Sequence, residues 1–154
     1  MGRRELEKGI HKDLAGEITY GGYLQLDKIL DAQDPHSKPP HHDEMLFIIQ
    51  HQVAELWMKL MLHELEATIG FMRQDQLDRC FKILSRVKHV QAQMFNQWAV
   101  LETLTPSEYL QFRDTLGHAS GIQSHQFRKL EFLLVTRQKI ISVFMPTTRR
   151  CTRS

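Results

Sequence analysis

Three pairs of side chains in this 154-residue chain have the types and spacing to hold a small molecule. Tyr109 and Arg113 stand four residues apart, so on a helix they share a face. A guanidinium presents a planar fork that matches the two oxygens of a carboxylate, and a phenol beside it adds a donor. Phe47 and His51 are also four apart. An imidazole beside a phenyl ring suits a flat ligand with one polar edge. Tyr20 and Tyr23, three apart, form the third pair. Together these groups suggest a site for an aromatic amino acid or a similar zwitterion. Each pair also has a plainer reading: a solvated Arg, a histidine satisfied inside a core, or two half-buried tyrosines packing their rings.

The elements that must position these pairs read as helices. Residues 42–63, HDEMLFIIQHQVAELWMKLMLH, hold no Gly or Pro and are apolar over most of a helical circumference. Such a helix belongs in a core. It is expected to run to about Met72, with Glu55 and Lys59 paired on one face. His51 in its middle needs a partner, because an unpaired buried imidazole is costly. Upstream, Thr19 can cap a helix over residues 20–30, and Pro35, Pro39 and Pro40 stop it. Downstream, a third helix from about Gln76 to Leu104 carries Leu77, Cys80, Leu84, Val87, Met94, Trp98 and Leu101 on one apolar stripe. Trp98 is expected to be core there. Thr105, Pro106 and Glu108 form a capping box for a short helix that ends at Gly117. Residues 118–121 are a small-residue loop that a ligand can approach closely. A last helix runs from about Gln123 to Leu134, beyond which no helical stripe continues. The fold class is therefore all-α, a helical bundle with short connections.

Composition narrows the function. Gly at 8 and Pro at 5 are scarce for a turn-rich β fold. Two cysteines, Cys80 and Cys151, make no disulfide framework and point to a reducing, cytoplasmic setting. The charged N-terminus leads into no apolar signal segment, and no apolar run reaches membrane-spanning length. Residues 135–154 carry five basic side chains and no acid, while the rest of the chain carries 15 basic and 18 acidic. A basic tail without interleaved aromatics is a poor nucleic-acid footprint. His36, His41, His42, Asp43 and Glu44 cluster, but their spacing matches no metal motif, and the acids suit the first turn of the central helix. His63-Glu64 begins like a zinc-protease motif, but Ala67 stands at the second His position. No Glu-x-x-His occurs, which sets aside a carboxylate-bridged dimetal bundle.

Three stretches carry a resemblance: YGGYLQLDKIL (20–30), HHDEMLFIIQHQVAELWMKLMLHEL (41–65) and YLQFRDTLGHASGIQSHQFRKLEFLL (109–134). They closely resemble bacterial tryptophan 2,3-dioxygenase over residues 18–134, in order along the chain. The resemblance implies an all-helical haem b protein that forms a homotetramer. Its reaction adds dioxygen across the indole C2–C3 bond of L-tryptophan, giving N-formyl-L-kynurenine, the entry to the kynurenine pathway. It implies that His51 lies on the distal side of a ferrous haem and bonds the indole N–H. Phe47 packs on substrate and haem, and Arg113 holds the carboxylate with Tyr109 nearby. Tyr20, Tyr23 and Leu24 reach a neighbouring subunit's site. Trp98, Leu116, Ser120 and Gly121 line the haem pocket. No residue of this chain is assigned to the iron, because the family's proximal histidine falls beyond it. His89, His118 and His125 do not match that position.

Two departures accompany the resemblance. Ile122 stands where the family usually has Phe, and after Leu134 the family's Gly-Asn continuation gives way to VTRQ. The expected organisation is an N-terminal arm over 1–17, an incomplete dioxygenase-like domain over 18–134 and a basic tail over 135–154 outside the family. A frameshifted or truncated product with impaired activity is the expectation. The rival is a non-catalytic helical fragment that only oligomerises, with apolar faces left exposed.

Overall fold

The computed structural model describes residues 18–144, with side chains up to residue 134. The arm expected over 1–17 and residues 145–154 lie outside the described residues. The chain divides into two units, Met1–Asp34 and Pro35–Ser154. Among the described residues every regular element is helical, so the fold is all-α.

In the first unit Thr19 caps α1 (Tyr20–Leu24), its hydroxyl accepting the Gly22 N–H at 3.1 Å. The single helix expected over 20–30 is broken. Gln25 adopts a left-handed conformation with φ 53° and ψ 43°, and α2 (Leu26–Leu30) starts after it. Gln25 is held there by its own side chain, whose Nε2 donates to the Gly22 carbonyl at 2.7 Å. Gly21 and Gly22 give this turn little helical preference of its own.

The second unit is built on α3 (His42–Arg73). Pro39 and Pro40 end the preceding loop, and His41 caps the helix, its ring accepting the Asp43 N–H. The loop is fastened from inside. Glu44, 1% exposed, accepts the backbone N–H groups of His36 at 2.7 Å and Ser37 at 3.0 Å. Ser37 in turn accepts the His41 N–H at 2.8 Å.

The core lies along the C-terminal half of α3. Met58, Met61, Leu62 and Leu65 pack against Val87 and Val90 of α4 (Leu77–Asn96) and Leu130 of α7 (His125–Phe144). Polar bonds fix the register of the three helices. Arg86 pairs with the nearly buried Glu64, and Lys129 pairs with Glu66 at 2.6 Å. Gln126 on α7 donates to both the carbonyl and the carboxylate of Glu55 on α3, at 2.9 and 2.7 Å. Glu55 thus turns to α7 rather than to Lys59 as its spacing suggested.

The third helix is shorter than expected. It ends at Asn96, and α5 (Trp98–Leu101) follows with bonds of the tighter i to i+3 kind, Val100 to Gln97 and Thr103 to Val100. The Gln97 carbonyl also accepts Gln50 Nε2 from α3 at 2.7 Å. Trp98 is 57% exposed instead of core, and Leu77 at the other end of the stripe is exposed as well. The last helix runs on past Leu134 to Phe144, although its sequence there carries no amphipathic stripe. No helix among the described residues is long and apolar enough to cross a membrane.

Candidate functional site

In the N-terminal half of α3 His51 is exposed rather than core. Its polar demand is met locally: Nδ1 lies 2.8 Å from the Phe47 carbonyl oxygen one turn back. A carbonyl only accepts, so Nδ1 carries the proton. In the neutral imidazole Nε2 is then left as an acceptor. The Phe47 and His51 rings stand 4.1 Å apart at 39°.

The short helix α6 (Pro106–Phe112) brings Tyr109 to this surface. Its start forms as the sequence predicts. The Thr105 N–H donates to Glu108 Oε2 at 2.8 Å, and the Glu108 N–H donates back to Thr105 Oγ1 at 3.4 Å. Bonds from the Thr105 hydroxyl and then its backbone N–H hold the Glu108 carboxyl below its ordinary range. Tyr109, half-buried, stands 5.7 Å from the Phe47 ring. Phe112, fully buried at 0% exposure, meets Phe47 edge-on at 5.7 Å and Tyr109 edge-on at 5.5 Å. His41 closes the group, its ring 5.4 Å from Phe112. Such ring pairs each contribute about 0.5–1.5 kcal/mol beyond their burial.

Arg113 follows Phe112 directly and opens a 3-10 turn (Arg113–Leu116). Its Nη1 donates to the Gly117 carbonyl at 2.8 Å, which ties the side chain to its own turn. Gly117 permits this with φ 53° and ψ −124°, a conformation that side-chain-bearing residues rarely adopt. A guanidinium has five donors, so the arrangement leaves donors for an anion.

The structure thus brings Phe47, His51 and Tyr109 into one ring cluster, with Arg113 adjoining it through the chain. Leu116, in the Arg113 turn, is half-buried. Ser120 and Gly121 lie exposed at a second 3-10 turn (Gly121–Gln123), where Ser120 caps by accepting the Ile122 N–H at 3.3 Å. A Cβ added at Gly121 meets nothing within 4 Å. Tyr20 and Tyr23 are about three-quarters exposed in the first unit, so the half-buried ring pair suggested by their spacing does not form. Sequence reasoning missed Phe112, His41 and Gln111 as parts of this group. Phe112 had a usable signal: it stands three residues from Tyr109 and so shares its face.

Among the described residues, no group of three or more His, Cys, Asp or Glu side chains could hold a metal ion. A family model for tryptophan 2,3-dioxygenase matches residues 4–145, further at both ends than the stretches quoted above. A tryptophan 2,3-dioxygenase of Myxococcus xanthus is 63% identical over 134 residues, covering 87% of this chain and 46% of that protein. One from Serratia proteamaculans is 62% identical, covering 87% and 48%. One from Xanthomonas oryzae is 58% identical over 142 residues, covering 92% and 48%. The chain spans about half the length of these relatives.

Proposed function

The chain belongs to the tryptophan 2,3-dioxygenase family, and on that premise we propose that it supplies the substrate-facing residues of a haem-dependent site. That site converts L-tryptophan and dioxygen to N-formyl-L-kynurenine. The observation that carries the reading is the fixed tautomer of His51. With Nδ1–H committed to the Phe47 carbonyl, Nε2 offers a lone pair beside an aromatic cluster. An indole presents one N–H donor on a flat apolar body, which is the complement of that arrangement. The imidazole orients the substrate and need not be a strong base.

Arg113 receives the carboxylate with the donors left over from its bond to Gly117. Tyr109 stands one turn away and adds a phenol to the same end. Phe47 offers its ring as packing surface and excludes water from the indole. Tyr20, Tyr23 and Leu24 belong to a segment that reaches a neighbouring copy, as their exposure suits, in a homo-oligomer.

The residue set fits haem as an apolar lining: the exposed indole of Trp98, half-buried Phe47 and Leu116, and open space at Gly121 beside Ser120. When bound, haem supplies the activation of dioxygen while the protein orients and desolvates the substrate. Domain limits of 18–134 for the dioxygenase-like part and a tail over 135–154 belong to this proposal, although the family match runs to residue 145 and α7 continues to Phe144.

Absorption spectra of the purified chain with haemin, before and after L-tryptophan, test it. The expected result is weak haemin binding, since no residue of this chain is assigned to the iron, with a tryptophan-dependent change in the haem band that L-phenylalanine does not reproduce. A chain that self-associates but shows no response to L-tryptophan overturns the reading in favour of a helical interaction fragment.

A further inference from the structure

We propose that His41 and Gln111 form a strap that sets where Tyr109 and Arg113 stand relative to Phe47 and His51. His41 is then a positioning residue for the site, and the functional consequence rests on the reading above.

The two residues are seventy positions apart in sequence, and His41 Nε2 lies 3.1 Å from Gln111 Oε1. The two ring nitrogens of His41 have separate tasks. Nδ1 accepts the Asp43 N–H at 3.3 Å, so the proton of the neutral ring is on Nε2. Nε2–H can then donate to the Gln111 carbonyl oxygen. The ring also rests 5.4 Å from that of Phe112, which packs edge-on against both Phe47 and Tyr109.

The anchor of this strap is itself fixed. Ser37 holds the His41 backbone N–H, and buried Glu44 holds the backbone of Ser37 and His36. A connected series of bonds therefore runs from the buried carboxylate through the loop to His41, and from His41 to α6. The helix α6 has seven residues and is too short to hold its position by propensity alone. Acids face His41 from two elements, Asp43 at 3.9 Å on α3 and Glu108 on α6. Neither replaces the Nε2–H to Gln111 bond.

The strap can be cut without removing the cap. His41→Asn retains a side-chain oxygen for the Asp43 N–H but is too short for Gln111. Gln111→Ala removes the acceptor and leaves the cap untouched. Gln111→Glu keeps an acceptor oxygen in the same position. In the 154-residue chain, nitrogen NMR of His41 is expected to show a protonated Nε2 and a bare Nδ1. Both cutting variants are expected to shift the Tyr109 and Phe47 ring resonances and weaken the cross-peak between them, at unchanged helix content. Gln111→Glu restores both. L-Tryptophan affinity is expected to fall by up to about tenfold in the cut variants, the size of one lost hydrogen bond.

Unchanged Tyr109 and Phe47 resonances in both cutting variants overturn the strap, as does a His41 ring protonated on Nδ1. Ring shifts in a chain that fails to bind tryptophan support the strap and overturn the substrate reading.

Discussion

His51 donates its Nδ1–H to the carbonyl of Phe47 at 2.8 Å, so a single backbone oxygen decides which ring nitrogen faces outward. The acceptor Nε2 is matched to an indole N–H. His51→Ala is expected to lower L-tryptophan affinity about tenfold. Against 1-methyl-tryptophan, which has no indole N–H, the same substitution is expected to cost little. Titration calorimetry of the four combinations gives the coupling between the imidazole and that one hydrogen. Equal losses for both ligands would falsify the assigned bond.

Arg113 is expected to act on the other end of the substrate. Hydrogen bonds to charged groups contribute about 1.5–3 kcal/mol, so Arg113→Ala should weaken L-tryptophan binding about tenfold to a hundredfold. Tryptamine, which lacks the carboxylate, should bind both forms alike. Arg113→Lys should behave more like Ala than like the parent, because an ammonium cannot serve Gly117 and a carboxylate with one planar fork.

Much of this site was legible before the fold was in hand, and the limits have physical causes. The capping box at Thr105 and Glu108 is a local device, so its residues announce it, and it formed as read. The Phe47/His51 ring contact follows from helical period, whereas Arg113 opens a 3-10 turn and bonds to the Gly117 carbonyl. The core role of Val87 followed from the same period, yet Trp98, just after the chain tightens at Gln97, is exposed. That tightening is tied to a bond from Gln50, forty-seven residues away, which no local pattern reveals. Likewise nothing near Glu44 shows that it buries itself to hold Ser37, and its place in the first turn suggests only a solvated acid. The helix through Phe144 was missed because its outer turns carry β-branched residues without a stripe.

Glu44 makes the stability of the second unit depend on pH. Burial, the largest influence, raises its carboxyl, but the Ser37 hydroxyl and the N–H groups of His36 and Ser37 together outweigh it and hold it below its ordinary range. The unfolded chain therefore takes up this proton first as pH falls. The contribution is complete above the ordinary carboxylate range and is lost as pH drops from there through the lower folded value. Urea midpoints measured from pH 7 downward should decline in that window, and Glu44→Gln should flatten the decline. At pH 7 that variant should be about 1.5–3 kcal/mol less stable.

The three-helix core gives a contrast between two leucines. Leu65 is 3% exposed among Met61, Val87 and their neighbours, and Leu110 is 68% exposed on α6. Leu65→Ala removes buried methyl groups and leaves a cavity, which costs about 2–5 kcal/mol. Leu110→Ala should fall within about 0.5 kcal/mol of the parent. Denaturant titration of both variants separates a core centred on α3, α4 and α7 from one that extends over α6.

Gly117 joins backbone conformation to the guanidinium. Its φ of 53° with ψ of −124° lies where only glycine sits without strain, and its carbonyl accepts from Arg113 Nη1. No neighbouring atom lies within 4 Å of an added Cβ, so Gly117→Ala meets a conformational cost of about 1–3 kcal/mol rather than a clash. The turn can relieve that strain only by rotating the carbonyl, which takes away the acceptor that fixes Arg113. The variant is therefore expected to lose L-tryptophan affinity while keeping that for tryptamine, the same pattern as Arg113→Ala but weaker. A loss shared equally by both ligands would instead trace the effect to general loosening of α6.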